Sequence, residues 1–180
     1  TAGSTGTGTG TWTWTSSDPS VLQVTGTNGI AAVKALKSGK ATIAVTYASD
    51  TAEGSAKTAE IQVDKRPLTA RYDNVTITKG NALPAFTMSF TGFAAGDTKE
   101  TVIDSIPDPL ILSGSAPVSD DTARTTAGTY VLAYSGTSPT IKTDMQDKYE
   151  LSDVQSGTLT VLAPSSPGSS SGGSSTYPVS

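Results

Sequence analysis

The chain has 180 residues, with 18 Gly, 10 Pro, a formal charge of −4 and only 16% charged side chains, below the roughly one quarter of an ordinary globular protein. It contains no Cys and no His, which excludes disulfides, thiol nucleophiles, thiolate or imidazole metal sites and histidine acid–base chemistry. A pI near 4.7 with no basic stripe leaves nothing to displace counterions from phosphates, so no nucleic-acid partner is expected.

No run of residues approaches the apolar length of a membrane helix, so no membrane insertion is expected within this segment. No secretory leader is expected at its start, and because it starts at Thr1 without Met it is expected to be a fragment or a processed product. Charge divides the sequence into three zones. Residues 1–65 are neutral overall, 66–163 carry the net negative charge, and 164–180 have no charged side chain.

In the first zone the dominant period is two. Trp12 and Trp14 lie two apart in Thr11-Trp12-Thr13-Trp14-Thr15, so both project from one face of a strand. Ala41, Ile43, Val45 and Tyr47 alternate with polar or small residues, as do Ala59, Ile61 and Val63. This is the pattern of strands with one buried face. Turn signals at Asp18-Pro19, Asn28-Gly29 and Ser38-Gly39 recur at a spacing typical of a β-sandwich. The stretch Ala31–Lys37 reads as strand, since Ser38-Gly39 stops it too soon for a stable helix.

A polar boundary follows at Val63-Asp64-Lys65-Arg66-Pro67. Beyond it Phe86, Met88 and Phe90 alternate with Ala85, Thr87 and Ser89; Tyr130, Leu132 and Tyr134 do likewise, and so do Leu159 and Val161. Asp97-Thr98-Lys99-Glu100 carries an N-cap and N3 pattern, with Val102, Ile103 and Ile106 on one helical face. Pro107 and Pro109 would stop that helix after about two turns. Residues 164–180, rich in Ser and Gly, are expected to be a linker leading to a next module. The expected class is mostly β: a sandwich over 1–64, then a second small, mainly antiparallel β domain over 65–163 with one short helix. A β-grasp-like arrangement is an open alternative for the second domain.

Trp14-Thr-Ser-Ser-Asp-Pro-Ser-Val21, then Val24, Asn28-Gly29-Ile30, Gly39 and Ala41-Thr-Ile43, resemble the group 2 bacterial immunoglobulin-like domains over residues 11–63. The spacing from Gly29 to Gly39 is slightly longer than in that family. Little precedes Trp12 to supply its first strands, so the resemblance implies an N-terminally incomplete domain. An exposed sheet edge would follow unless Thr5–Gly10 fills it. Residues 66–162 resemble the MBG repeats of bacterial surface proteins. That resemblance rests on Pro67-Leu68-Thr69, Lys79-Gly80, Pro84, Thr91-Gly92-Phe93, Gly96-Asp97, Ala127-Gly128-Thr129-Tyr130, Tyr149 and Gly157-Thr-Leu159-Thr-Val161. Ser174-Ser-Thr-Tyr177-Pro-Val179 resembles the start of a further module. Together these resemblances imply a secreted, multi-domain, Gram-positive cell-surface or cell-wall protein. In such a protein the segment would act as a spacer or stalk, or as an adhesion or carbohydrate-binding module beside a surface enzyme. Cell-wall or host glycan, or a surface protein, would be its partner, and a monomer is expected.

Trp12 is the ligand-binding candidate, because paired indoles can stack on sugar rings; core packing is the alternative for both tryptophans and is favoured for Trp14. Asp120-Asp121 and the set Asp144, Asp147, Glu150 and Asp153 lack the spacing of a calcium loop and read as solvated acidic loops. Gly6-Thr-Gly-Thr-Gly10 has no following helix or Lys and does not read as a phosphate loop. Lys148 with Asn74 or Asn81 is the pairing weighed for an isopeptide crosslink. Asn74-Val75-Thr76 matches a glycosylation acceptor only as a chance signal. No catalytic residue, metal or cofactor is expected, and the segment is not expected to be an enzyme.

Overall fold

The computed structural model describes residues 10–27, 29–50 and 52–165. Residues 1–9, Asn28 and the linker from 166 onward, including Tyr177 and Val179, lie outside the described residues, so the expectations for Thr5–Gly10 and the linker fall largely there. The described chain is mostly β, with several antiparallel sheets and no closed barrel. No helix among these residues is long and apolar enough to cross a membrane.

Among the described residues seven strands precede residue 64: β1 (Thr11–Ser16), β2 (Leu22–Thr27), β3 (Ile30–Ala35), β4 (Gly39–Ala41), β5 (Ile43–Ala48), β6 (Glu53–Lys57) and β7 (Ile61–Val63). They form a β1-β5-β6 sheet and two ribbons, β2-β3 and β4-β7. The alternation Ala41, Ile43, Val45 buries one face, as its period requires. It is split at Thr42, where Ser17 intervenes: its Oγ accepts from Thr42 N at 2.8 Å and its N donates to Thr42 O at 2.9 Å. Val21, Leu22, Ala41 and Ile43 form the core, with Trp14, Val24, Ile61 and Val63 packed on it. The Ala31–Lys37 stretch is strand through Ala35. Polar β6 has no apolar signature and is fully exposed; it is a strand because β5 supplies its hydrogen-bonding partner throughout.

Ten further strands and two helices follow: β8 (Arg66–Tyr72), β9 (Val75–Thr78), β10 (Met88–Thr91), α1 (Lys99–Val102), β11 (Ile103–Ser105), β12 (Leu110–Ser113), β13 (Ala116–Pro117), α2 (Asp120–Thr125), β14 (Gly128–Ala133), β15 (Thr140–Ile141), β16 (Tyr149–Gln155) and β17 (Gly157–Leu162). Their sheets are β10-β8-β16, β11-β15 and β13-β12-β14-β17-β9. Two compact units result. Unit one takes residues 1–71, 88–107 and 136–155; unit two takes 72–87, 108–135 and 156–180.

Several sequence expectations are corrected here. Among the described residues two short helices are present, not one. Ser119 caps the second, its Oγ accepting from Thr122 N at 3.2 Å, with Asp120 and Asp121 in its first turn, where acidic side chains oppose the helix dipole favourably. The pair Asp120-Asp121 is therefore helical and not a loop. Helix α1 is a single turn capped by Thr98, whose N donates to Thr101 Oγ1 at 2.9 Å. Asp97 is not its cap and Glu100 is not its N3 residue. It ends before Pro107 and Pro109 because Ile103 leaves for the ladder with Ile141. Antiparallel pairing predominates, but β16 runs parallel to β8 and β17 parallel to β9. Both parallel pairs join the first strands of this segment to its last ones. Strands are shared among three sheets and do not lie in one sheet beneath a single helix, as a β-grasp would require.

Unit two buries Tyr72, Ile111, Ala123, Tyr130, Leu132, Leu159 and Val161. In unit one, Leu68, Val102, Ile103 and Tyr149 make a second core, flanked by Phe90, Phe93, Ile106 and Ile141. Gly92 has φ +105°, and a Cβ there would sit 2.4 Å from Pro67 O; the Thr91-Gly92-Phe93 motif thus needs glycine for both conformation and space.

Candidate functional site

Among the described residues, two places in unit one gather candidate side chains. The first is built by register. Trp12 on β1 lies directly opposite Tyr47 on β5, so both rings fall on one face, with centroids 4.7 Å apart and planes tilted by 47°. Gly54 on β6 pairs with Tyr47 from the other side, and a Cβ there would meet nothing within 4 Å. Trp12, Val45, Tyr47, Glu53, Gly54, Ser55 and Ala56 enclose a depression of about 190 Å³. Small-molecule sites usually span about 300–1,000 Å³, so this groove has the scale of a single subsite. Trp12 is half-buried. Trp14 packs against the core with its ring over Gly26, where a Cβ would fall 2.6 Å from Cδ1. Tyr47 was legible in the sequence only as a strand residue; its role needs the β1–β5 register.

The second place is polar and was missed from sequence. Asp97 Oδ2 accepts from Lys148 Nζ at 2.6 Å and from the Tyr149 hydroxyl, while Ala94 N donates to that hydroxyl at 2.8 Å. Phe93 meets the Tyr149 ring edge-on, centroids 6.1 Å apart. The Lys148 ammonium, then the Tyr149 hydroxyl, hold the Asp97 carboxyl below its ordinary range. Asp97 in turn raises Lys148. Burial, reinforced by the bond to Asp97, raises the Tyr149 phenol. The pair is held ionised, whereas amide condensation requires a neutral amine. Lys148 Nζ is thus paired with Asp97, and Asn74 Oδ1 accepts from Thr158 N at 3.0 Å.

Because the Asp97 carboxyl is depressed in the folded state, its contribution is complete above about pH 4 and is lost as pH falls through the folded value. Asp97→Asn is expected to cost about 1–2 kcal/mol at neutral pH and to flatten the acid limb of stability. Urea midpoints measured between pH 2 and pH 7, as about five points, check this; an unchanged acid limb would refute it.

Asp144 lies in a 3₁₀ turn, Thr143–Met145. The Asp147 carbonyl accepts from Ser38 N at 2.8 Å, Glu150 and Asp153 sit on β16, and Asp153 Oδ2 accepts from Gln155 Nε2 at 3.0 Å. Among the described residues no group of three carboxylates is placed to hold a metal ion.

Short strands in several small sheets around separate cores define a mostly β protein. The family model of the MBG domain (YGX type) matches residues 68–160, and the chain belongs to that family. Neither a curated protein nor a solved structure matches it.

Proposed function

We propose that this chain is a structural spacer or interaction segment of a multi-domain bacterial cell-surface protein, lying outside the cell. The observation that carries the reading is membership of the MBG domain family, a kind of repeat found in bacterial surface proteins. The β-rich fold supports it, because small β units bury enough apolar surface to stay folded without metals or disulfides. Residues 11–63 serve as a group 2 immunoglobulin-like module, a reading supported by strands β1 to β7 and by the packing of Trp14 on the core. Chemistry, where the parent protein performs any, belongs to other domains. Antibodies raised against residues 66–162 test the location: they should label intact cells of the source bacterium, and labelling only after permeabilisation would sink the reading.

A second reading is favoured by the Trp12–Tyr47 pair. An exposed aromatic groove with Glu53 on its rim suits a sugar ring, which offers C–H bonds to the rings and hydroxyls to the carboxylate. On a glycan array, binding that Trp12→Ala reduces about tenfold or more, with unchanged circular dichroism, would establish it. No binding by the unaltered chain would leave the spacer role alone.

A further inference from the structure

Unit one also holds a cavity of about 180 Å³, and every residue that lines it is a described one. Lys37, Arg66 and Lys148 supply its positive charge and Asp64 its negative charge, with Leu36 and Ala94 among its apolar walls. Backbone bonds fix those walls: Ser38 N donates to Asp147 O, and Arg66 N to Lys148 O, both at 2.8 Å. The three cations are not equivalent. Lys148 is paired with Asp97 at 2.6 Å, whereas among the described residues Lys37 and Arg66 make no salt bridge. Asp18, which Ser20 holds first and Lys37 influences last, does not line the cavity. Arg66 also lies close enough to act on Lys148 as a like charge, against the stronger pull of Asp97. Its Nε donates to Gly92 O at 2.6 Å, a carbonyl held in place where Gly92 closes on the Pro67 backbone. That bond fixes the guanidinium and leaves its two terminal nitrogens as a fork of donors.

We infer that this cavity binds a singly charged carboxylate carrying a short aliphatic chain. Lys148 and Asp97 neutralise one another, so Lys37 and Arg66 face Asp64 alone, an excess of one positive charge. One negative charge balances that excess; a second would meet Asp64 and Asp97 with no further cation to offset it. A planar carboxylate also matches an arginine fork through two parallel hydrogen bonds. Leu36 and Ala94 offer methyl groups against which a short alkyl chain can pack. The volume is below that of an ordinary small-molecule site, so it takes the headgroup and a few carbons. The same chemistry occurs in a free short-chain acid and in the C-terminal residue of a peptide. The Trp12–Tyr47 groove is lined by other residues, so the inference stands apart from both readings above.

Titration of the full chain, followed by NMR, tests it with four probes: N-acetylalanine, propionate, N-acetylalanine amide and inorganic phosphate. N-acetylalanine or propionate should move the Arg66 Nε–H resonance and the amides of Lys37, Ser38 and Ala94, saturating with a Kd of about 1 mM. Tighter binding of N-acetylalanine assigns the peptide terminus as the source, and tighter binding of propionate a free acid. The neutral amide should leave these signals unmoved, and phosphate should bind about tenfold more weakly or not at all. Arg66→Lys keeps the charge and removes the fork, and Lys37→Gln removes a charge from a half-exposed side chain. Each should weaken carboxylate binding by about tenfold, with the remaining amide spectrum unchanged. Lys37→Gln carries the comparison alone if Arg66→Lys disturbs the fold. The inference is overturned by an absence of saturable shifts with both carboxylates, by phosphate or the neutral amide binding as tightly, or by unchanged affinity in either folded variant.

Discussion

Gly157→Ala is expected to destabilise unit two by about 3 kcal/mol or more, at the upper end of what overpacking costs. Gly157 opens β17 opposite Leu132, where the strand passes against the backbone at the start of unit two. A Cβ there would stand 2.4 Å from Tyr72 O, 2.9 Å from Tyr72 C and 3.0 Å from Asp73 O. These are main-chain atoms, and Tyr72 is almost fully buried, so no side-chain rotation relieves the overlap. Either β17 shifts away from β9, breaking the ladder from Leu159–Val75 to Leu162–Thr78, or Tyr72 is displaced from the core. Urea unfolding should show a lower midpoint with an unchanged slope. Gly54→Ala is the control, since its Cβ would meet nothing within 4 Å and should change stability by less than about 0.5 kcal/mol. Equal stability of the two variants would show that the close approach at Gly157 is not real.

Tyr149→Ala is expected to cost about 3–5 kcal/mol, the range for emptying a large aromatic site. The residue is 1% exposed and packs with Leu68, Val102 and Ile103. Truncation would remove the edge-on contact with Phe93 and leave Ala94 N without its acceptor. Tyr149→Phe keeps the ring and removes only the hydroxyl, so about 1–2 kcal/mol is expected. Thermal and urea unfolding of both variants separate the two contributions. If Phe costs as much as Ala, the hydroxyl network and not the packed ring holds this core.

The Tyr149 neighbourhood also shows where reading along the chain stops. The residue was visible as a strand position and as part of a family motif, and Gly96-Asp97 was visible as another part. Nothing in their spacing brings the two together. Asp97 was read as the cap of the following helix because Asp is a good N-cap, a local rule that Thr98 satisfies one residue later. The carboxylate is then free for Lys148 and Tyr149, and both hydrogen bonds to it are charge-assisted. In the same way Asp120 and Asp121 read as a loop because no apolar period accompanies them, whereas the helix forms around Ser119 and one buried residue, Ala123.

Trp12 gives the complementary lesson. Its spacing from Trp14 placed both rings on one face of a strand, and the strand is there. Which side chain covers Trp12 depends on the β1–β5 register, and register is set by turns and by the burial of Ile43 and Val45, not by the local sequence.

What the amino-acid sequence determined by itself is what local chemistry can encode. Period-two alternation specified strands and their buried faces, Gly and Pro marked the turns, and the absence of Cys and His removed whole classes of site. Family motifs pointed to an MBG domain over residues 66–162, and the family model matches residues 68–160. Tertiary structure alone decided the parallel pairing of β8 with β16 and of β9 with β17, the polar strand β6 and the Asp97–Lys148–Tyr149 cluster. Each depends on partners far apart along the chain, whose meeting is fixed by burial and by the completion of backbone hydrogen bonds. The zero in Cys thus acquires a positive counterpart: several small apolar cores, a buried tyrosine and glycines that let backbones touch carry the stability that disulfides would otherwise supply.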